Sequence, residues 1–128
     1  MKKTSLNKYG YAADKWEAAK KEAGEILIRR AKAEDTIAYS ELTEKIKTIS
    51  IEPHSYAIGA FLGEISESEN EIGRGMLSVI VVYKEGDMQP GPGFFDLAKQ
   101  LGRDTSDKTK CWVGEFRQVC DYWKAKAR

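Results

Sequence analysis

The hydrophobic positions of this chain follow helical spacing over most of its length. Apolar and small side chains recur every three or four residues between residues 12 and 33, which predicts a long amphipathic helix. Further stripes predict a short helix over residues 39–49, a third helix starting near Pro53, and two closing helices near residues 94–101 and 107–128. The expected buried faces are Trp16, Ala19, Ala23, Ile26 and Leu27; Tyr39, Leu42, Ile46 and Ile49; Ile58, Phe61, Leu62 and Ile65; Phe94, Leu97, Ala98 and Leu101; and Trp112, Phe116, Val119 and Trp123.

One stretch departs from helical spacing. The run MLSVIVVY at residues 76–83 is short and rich in β-branched side chains, so it predicts one buried strand, for which residues 36–38 are expected to form a short partner. Because helical patterns precede and follow this strand, helices should pack over it. The sequence therefore predicts an α+β fold, mostly helical, with a flexible tail at residues 1–10 and a single globular domain at residues 11–128.

Composition narrows the class of protein. The chain of 128 residues is long enough to bury a core without disulfides. Cys111 and Cys120 lie nine positions apart on one predicted helix, which places them on opposite faces and predicts two reduced thiols. No apolar run approaches the roughly 20 residues that span a bilayer, and no signal peptide is evident at the N-terminus. We therefore expect a cytoplasmic protein without membrane association.

Charge is segregated along the chain although the net charge is only +1. Residues 1–33 contain nine Lys and Arg against four Asp and Glu, for a net charge of +5. Residues 34–72 contain two against nine, for −7, and residues 73–128 contain ten against seven, for +3. Any contact with nucleic acid is therefore expected to involve the basic first and last helices, because Lys and Arg neutralise phosphates.

Candidate chemistry is sparse. His54 is the single histidine, so a metal site containing several histidines is excluded, and we expect no metal or cofactor. One alternative is a small metal-dependent nuclease or other hydrolase that uses Glu64, Lys84 and Asp87, since carboxylates beside a lysine can hold Mg²⁺ and a phosphate. Another alternative is a protein-interaction subunit that presents the acidic residues 64–71. Neither alternative rests on a catalytic motif, which favours a protein that is not an enzyme.

Two glycine-containing features are compatible with either a structural or a binding role. The segment QPGPG at residues 89–93 is either a binding loop that brings backbone N–H groups close to a ligand or a rigid corner between strand and helix. Gly59 and Gly63 lie four apart in the third helix and would let another element approach closely. Ser66 and Glu69 have the spacing of a capping box, which predicts an extra helical turn there.

An ordered series of segments resembles a known family. The segments are, in order, TIAYSELTEKI, the connection KTISIEP, the segment PHSYAIGAFLGEI, the strand and the glycine-rich loop. Over about residues 36–93 this order resembles the C-terminal winged-helix domain of alkylguanine-DNA alkyltransferases and alkyltransferase-like proteins. The resemblance implies that Tyr39 presses on the nucleic-acid backbone during base flipping and that Gly59 lets a recognition helix approach DNA. Tyr56 stands where the family has an arginine finger. The acceptor region, VIVVYKEG, contains no Cys, Trp or His, which excludes alkyl transfer under this alignment.

These observations lead to a functional hypothesis. The expected protein is a non-catalytic module of helix-turn-helix or winged-helix type that contacts nucleic acid or a protein partner through its third helix and the loop at residues 86–93. No oligomeric state is indicated. The predicted binding residues are Tyr39, Ser55, Tyr56, Gly59, Gly91 and Gly93.

Overall fold

The computed structural model describes residues 6–84 and 89–126. Within these ranges, five α-helices surround a parallel pair of very short strands, so the α+β prediction is confirmed. The strand pairing joins Ile37 to Val81 and Ala38 to Val82. The elements are α1 (Ala13–Lys32), β1 (Ile37–Ala38), α2 (Tyr39–Lys45), α3 (Tyr56–Glu71), β2 (Val81–Val82), α4 (Pro92–Gln100) and α5 (Lys108–Lys126), with a 3-10 helix at Leu77–Ile80.

Local signals mark the helix boundaries at several ends. The carboxylate of Asp107 accepts the N–H of Lys110 at 3.1 Å, as expected of an N-cap at the start of α5. Helix α4 ends at Gln100, and Gly102, with φ of +92°, takes the left-handed conformation that follows many helices. Helix α2, however, ends at Lys45 rather than near residue 49, so the connection to α3 is longer than predicted. That connection is tied to α1, because the carboxylate of Glu22 accepts the N–H groups of Lys47 and Thr48.

The predicted strand at residues 76–83 is mostly not a strand. Residues 76–82 are fully buried, as the apolar run indicates, but Leu77–Ile80 form a 3-10 helix and only Val81–Val82 pair with β1. A short buried apolar run is compatible with either geometry, and its composition does not distinguish them. This segment contacts α1, α3 and α5, which surround it with helices instead of strands that could complete a sheet.

Side chains satisfy part of the buried main chain of this segment, beside the hydrogen bonds within the 3-10 helix itself. The Met76 N–H donates to Glu115 Oε2 at 2.8 Å, and the Ser78 N–H donates to Ser66 Oγ at 2.9 Å. The Val79 carbonyl accepts the indole N–H of Trp112 at 3.1 Å. Ser66 is therefore a buried support inside α3, which continues to Glu71, and it does not cap a separate turn. Since buried N–H groups need acceptors, these side chains replace the missing sheet.

The ordered domain includes the end of the predicted tail. Leu6 forms an antiparallel bridge with Ala12, and the side-chain carbonyl of Asn7 accepts the N–H groups of Tyr9 and Tyr11. The Tyr9 ring stacks on Trp16, with centroids 5.3 Å apart and an interplanar angle of 16°. Residues 6–10 thus belong to the packed domain rather than to a flexible tail, and residues 1–5 lie outside the described residues.

Ion pairs offset much of the segregated charge. Five of the nine carboxylates in residues 34–72 are bound by Lys or Arg from outside that segment, so its net charge of −7 is partly compensated on the folded surface. The other four, Glu44, Glu52, Glu67 and Glu71, are exposed, the last two in the C-terminal half of α3. The five pairs are Glu34 with Lys124, Asp35 and Glu41 with Arg30, Glu64 with Lys20, and Glu69 with Arg74.

Two further predictions from the sequence concern membranes and thiols. None of the helices in the described part of the chain combines the length and the apolar character needed to cross a bilayer. Cys111 and Cys120 are free thiols, the first half-buried and the second buried. Burial raises the pKa of the Cys120 thiol to about 11, so this thiol stays protonated at neutral pH.

Candidate functional site

Five of the six predicted binding residues line one groove. Tyr39, Ser55, Gly59, Gly91 and Gly93 surround a cavity of about 180 Å³ between the first turns of α3 and α4. The sixth, Tyr56, follows Ser55 and is 84% exposed. Gly59 is also exposed, and a Cβ at that position would meet no atom within 4 Å. The start of α3 is therefore open to solvent beside the groove.

Three helices begin at this groove. Helix α2 starts at Tyr39, α3 starts after Ser55, and α4 starts with Pro92 after Gly91. Ser55 is the N-cap of α3, and its hydroxyl accepts the N–H of Ile58 at 3.2 Å. Because a helix carries partial positive charge at its N-terminus, the groove lies at the positive ends of the α3 and α4 dipoles, while the seven-residue α2 contributes the Tyr39 side chain.

The glycine-rich segment forms a corner fixed by two tyrosines. The Gly91 N–H donates to the Tyr39 hydroxyl at 2.9 Å, and the Tyr39 and Tyr83 rings lie 5.1 Å apart between centroids. A Cβ on residue 91 would stand 2.8 Å from the Tyr83 hydroxyl oxygen and 3.2 Å from that of Tyr39, so only glycine fits without displacing them. Burial raises the pKa of Tyr39, although the Gly91 N–H acts in the opposite direction. The Tyr39 hydroxyl thus keeps its proton and is a donor at the groove.

The lining of the groove lacks carboxylates among the described residues. A neighbouring cavity of about 420 Å³ shares Tyr39, His54 and Tyr83 with it, adds Ser40 and Lys84, and likewise lacks them. Three other cavities on the described surface each contain at least two Asp or Glu residues. In a chain with 20 Asp and Glu, this contrast makes the two joined cavities the best candidate site for an anion.

The residues of the hydrolase alternative are not brought together. Glu64 accepts the Trp16 indole N–H and the Lys20 ammonium, each at 2.9 Å. Burial acts to raise the pKa of Glu64, but these two donors outweigh it, so the pKa lies below its usual value. Lys84 lies by the groove, in a cavity that Glu64 does not line, and Asp87 lies outside the described residues. Within residues 6–84 and 89–126, no group of three or more His, Cys, Asp or Glu side chains could hold a metal ion.

Sequence reasoning assigned no binding role to three residues of this site. Tyr83 was placed only at the end of a strand, and His54 only beside a helix start. Lys84 was considered only for the hydrolase alternative. All three line the second cavity with Tyr39. The available signal was their position next to loop segments, because polar and aromatic side chains at the ends of buried elements commonly contribute to sites.

Comparison with known proteins gives no match. Neither protein-family models, nor curated proteins, nor solved structures give a match to the chain. The resemblance to alkyltransferase C-terminal domains over residues 36–93 therefore stays a prediction.

Proposed function

We propose that this protein is a non-catalytic binding module that holds the phosphate backbone of a nucleic acid in the groove at the starts of α3 and α4. The observation that carries the proposal is the absence of carboxylates from the described lining of two joined cavities on a chain rich in Asp and Glu. Phosphates bind where donors converge and where negative side chains are absent.

The donors at this site suit an anion of extended shape. The hydroxyls of Tyr39 and Tyr83 line both cavities, and exposed Lys84 lines the second. The Ser55 hydroxyl is used within the chain, because it accepts the Ile58 N–H and donates to the Glu52 carbonyl at 2.8 Å. Backbone N–H groups in the first turns of α3 and α4 add partial positive charge. Hydroxyls, backbone N–H groups and lysines are the groups that proteins use to contact nucleic-acid phosphates.

The ion pairs reduce the electrostatic objection to such a ligand. The acidic segment at residues 34–72 would repel phosphates if its carboxylates were all free, but five of them are bound by cations. The other four carboxylates of this segment are Glu44, Glu52, Glu67 and Glu71, and all are exposed. Glu67 and Glu71 lie in the last two turns of α3, away from Ser55 at its start, whereas Glu52 lies three positions before Ser55.

The proposal is tested by fluorescence anisotropy with labelled DNA and RNA oligonucleotides over a series of salt concentrations. We expect binding to weaken as the salt concentration rises. Lys and Arg side chains that contact phosphates displace counterions from the nucleic acid, and this displacement is less favourable at high salt. Lys84→Ala should weaken binding to every sequence and reduce the slope of log K against log salt by about 1. The matched control is Lys99→Ala, which removes the same charge from an exposed position at the opposite end of α4.

Two results would contradict the proposal. One is the absence of salt-dependent binding to any of the oligonucleotides, which would favour a protein partner for this surface. The other is an equal loss of affinity for Lys84→Ala and Lys99→Ala, since that pattern would reflect overall charge and not the groove.

A further inference from the structure

The exposed ring of Tyr56 stands at the edge of the groove on an aromatic support. Tyr56 is 84% exposed, and its ring lies 5.9 Å from that of Tyr9 between centroids, at an angle of 42°. A large ring in such a position leaves most of its surface in water, so its face is accessible to a planar ligand group. The position follows Ser55, a residue of the groove lining.

The support beneath Tyr56 is fixed to the core. Tyr9 stacks on Trp16, which is 3% exposed and packs edge-on against buried Phe61 with centroids 5.1 Å apart. The Trp16 indole N–H is held by Glu64 at 2.9 Å. The Lys8 ammonium lies 5.4 Å from the Tyr9 ring centroid, which brings a cation to the same patch.

We propose that the ligand of the groove is single-stranded nucleic acid, with one unpaired base stacked on Tyr56 and the adjoining phosphate in the groove. This inference rests on the proposed function. Proteins that bind single strands combine a groove that attracts the backbone with aromatic rings on which bases stack. Here the rings of Tyr56 and Tyr9 provide the stacking surface, Lys8 provides a cation beside the Tyr9 ring, and Lys84 provides one in the neighbouring cavity.

The charge of α3 argues against a duplex ligand. A duplex exposes base edges and hides base faces, so the face of Tyr56 would have nothing to stack on. A helix laid along a duplex groove would also bring exposed Glu67 and Glu71 toward phosphates, because these residues continue the face of α3 that carries Gly59 and Gly63. A single strand that crosses only the start of α3 avoids both of these carboxylates, and Glu52, three positions before Ser55, is the exposed carboxylate that it would pass.

The experiment compares three labelled ligands of equal length by anisotropy: a single strand, the matching duplex, and a strand of abasic residues that retains its phosphates. We expect the single strand to bind most tightly. Tyr56→Ala should weaken binding of the intact single strand about fivefold or more, because base stacking on aromatic rings is lost. Tyr56→Phe should retain binding, and neither variant should change the affinity for the abasic strand.

Folding is controlled independently. Tyr56 is exposed, and alanine favours helix, so circular dichroism of Tyr56→Ala should match that of the wild type. Ile72→Ala removes another exposed apolar side chain, 61% exposed, at the opposite end of α3 and should leave affinity unchanged.

The outcomes separate this inference from the proposed function. Equal binding of the single strand by wild type and Tyr56→Ala, with a selective loss for Lys84→Ala, overturns the stacking role and retains the groove. Tighter binding of the duplex than of the single strand also overturns the inference. Absence of binding to all three ligands overturns the proposed function itself.

Discussion

The buried carboxylate of Glu115 and the groove at the start of α3 are both polar regions, but only the first is closed off from solvent by its partners. Glu115 is 5% exposed, and its two oxygens accept two nitrogens of the Arg103 guanidinium, each at 3.0 Å, and the N–H of Met76. At the groove, the hydroxyls of Tyr39, Ser55 and Tyr83 line a cavity instead.

The difference separates stability from binding. A buried carboxylate whose partners are lost leaves charges and donors without compensation, so Glu115 and its surroundings should determine the free energy of unfolding. Polar groups that line a cavity can exchange water for a ligand, so their replacement should change affinity more than stability. The following substitutions test this separation.

The largest expected effect is the loss of stability in Glu115→Ala. This change leaves the Arg103 guanidinium and the Met76 N–H without their shared acceptor. Arg103 is 22% exposed, so water compensates in part, and we expect a loss of about 3 kcal/mol, the lower end for broken buried pairs.

Urea unfolding measures the change from the midpoint at constant slope. Exposed Glu71→Ala is the control and should change stability by less than about 0.5 kcal/mol. A loss below 1 kcal/mol in Glu115→Ala would contradict the comparison.

An intermediate effect is expected for Ser66→Ala, which removes a second internal support. Ser66 is fully buried, its hydroxyl lies 2.6 Å from that of Ser78, and it accepts the Ser78 N–H. Because that N–H would be left buried without an acceptor, we expect a loss of about 2 kcal/mol in thermal or urea unfolding. Ser68→Ala, at an exposed position of the same helix, should be nearly neutral. Equal values for the two serines would show that the hydroxyl of Ser66 does not support the 3-10 segment.

The smallest effect on stability, and the opposite sign, is expected at two glycines. Gly59 in α3 and Gly114 in α5 are exposed, and a Cβ at either meets no atom within 4 Å. Gly59→Leu and Gly114→Leu should each raise stability by roughly 0.5–1 kcal/mol, because leucine favours helix. Only Gly59→Leu places a side chain at the groove, so only this variant should weaken oligonucleotide binding in anisotropy. Unchanged affinity of Gly59→Leu would place the ligand elsewhere.

The helices were predictable because their signals are local. Helix α1 at Ala13–Lys32 matches the predicted span within one residue at each end, since apolar spacing and charged faces repeat over five turns. Asp107 and Gly102 mark helix ends through contacts within a few residues. The prediction for α2 is too long because it counts Ile46 as part of the buried helical stripe. Ile46 is buried, but it lies after the helix end, in the extended connection to α3.

The contacts at the candidate site join residues far apart in the chain. Tyr39 and Gly91 are 52 positions apart, and their hydrogen bond follows from the parallel pairing of β1 with β2, which brings the starts of α2 and α4 together. Both residues are among the predicted binding residues, but the sequence does not indicate this hydrogen bond or the contact with Tyr83. Such contacts depend on how elements pack, which spacing along the chain does not encode.

The sequence by itself determined five helices, a buried apolar segment at residues 76–82 and the uneven distribution of charge. Those features follow from the periodicity and identity of neighbouring residues. Only the tertiary structure decided that the buried segment is mostly a 3-10 helix held by Ser66 and Glu115, and that carboxylates are absent from the described lining of one groove. The physical reason is that a buried N–H takes whichever acceptor the packed helices bring to it, and ion pairs form between charges that only the fold makes neighbours.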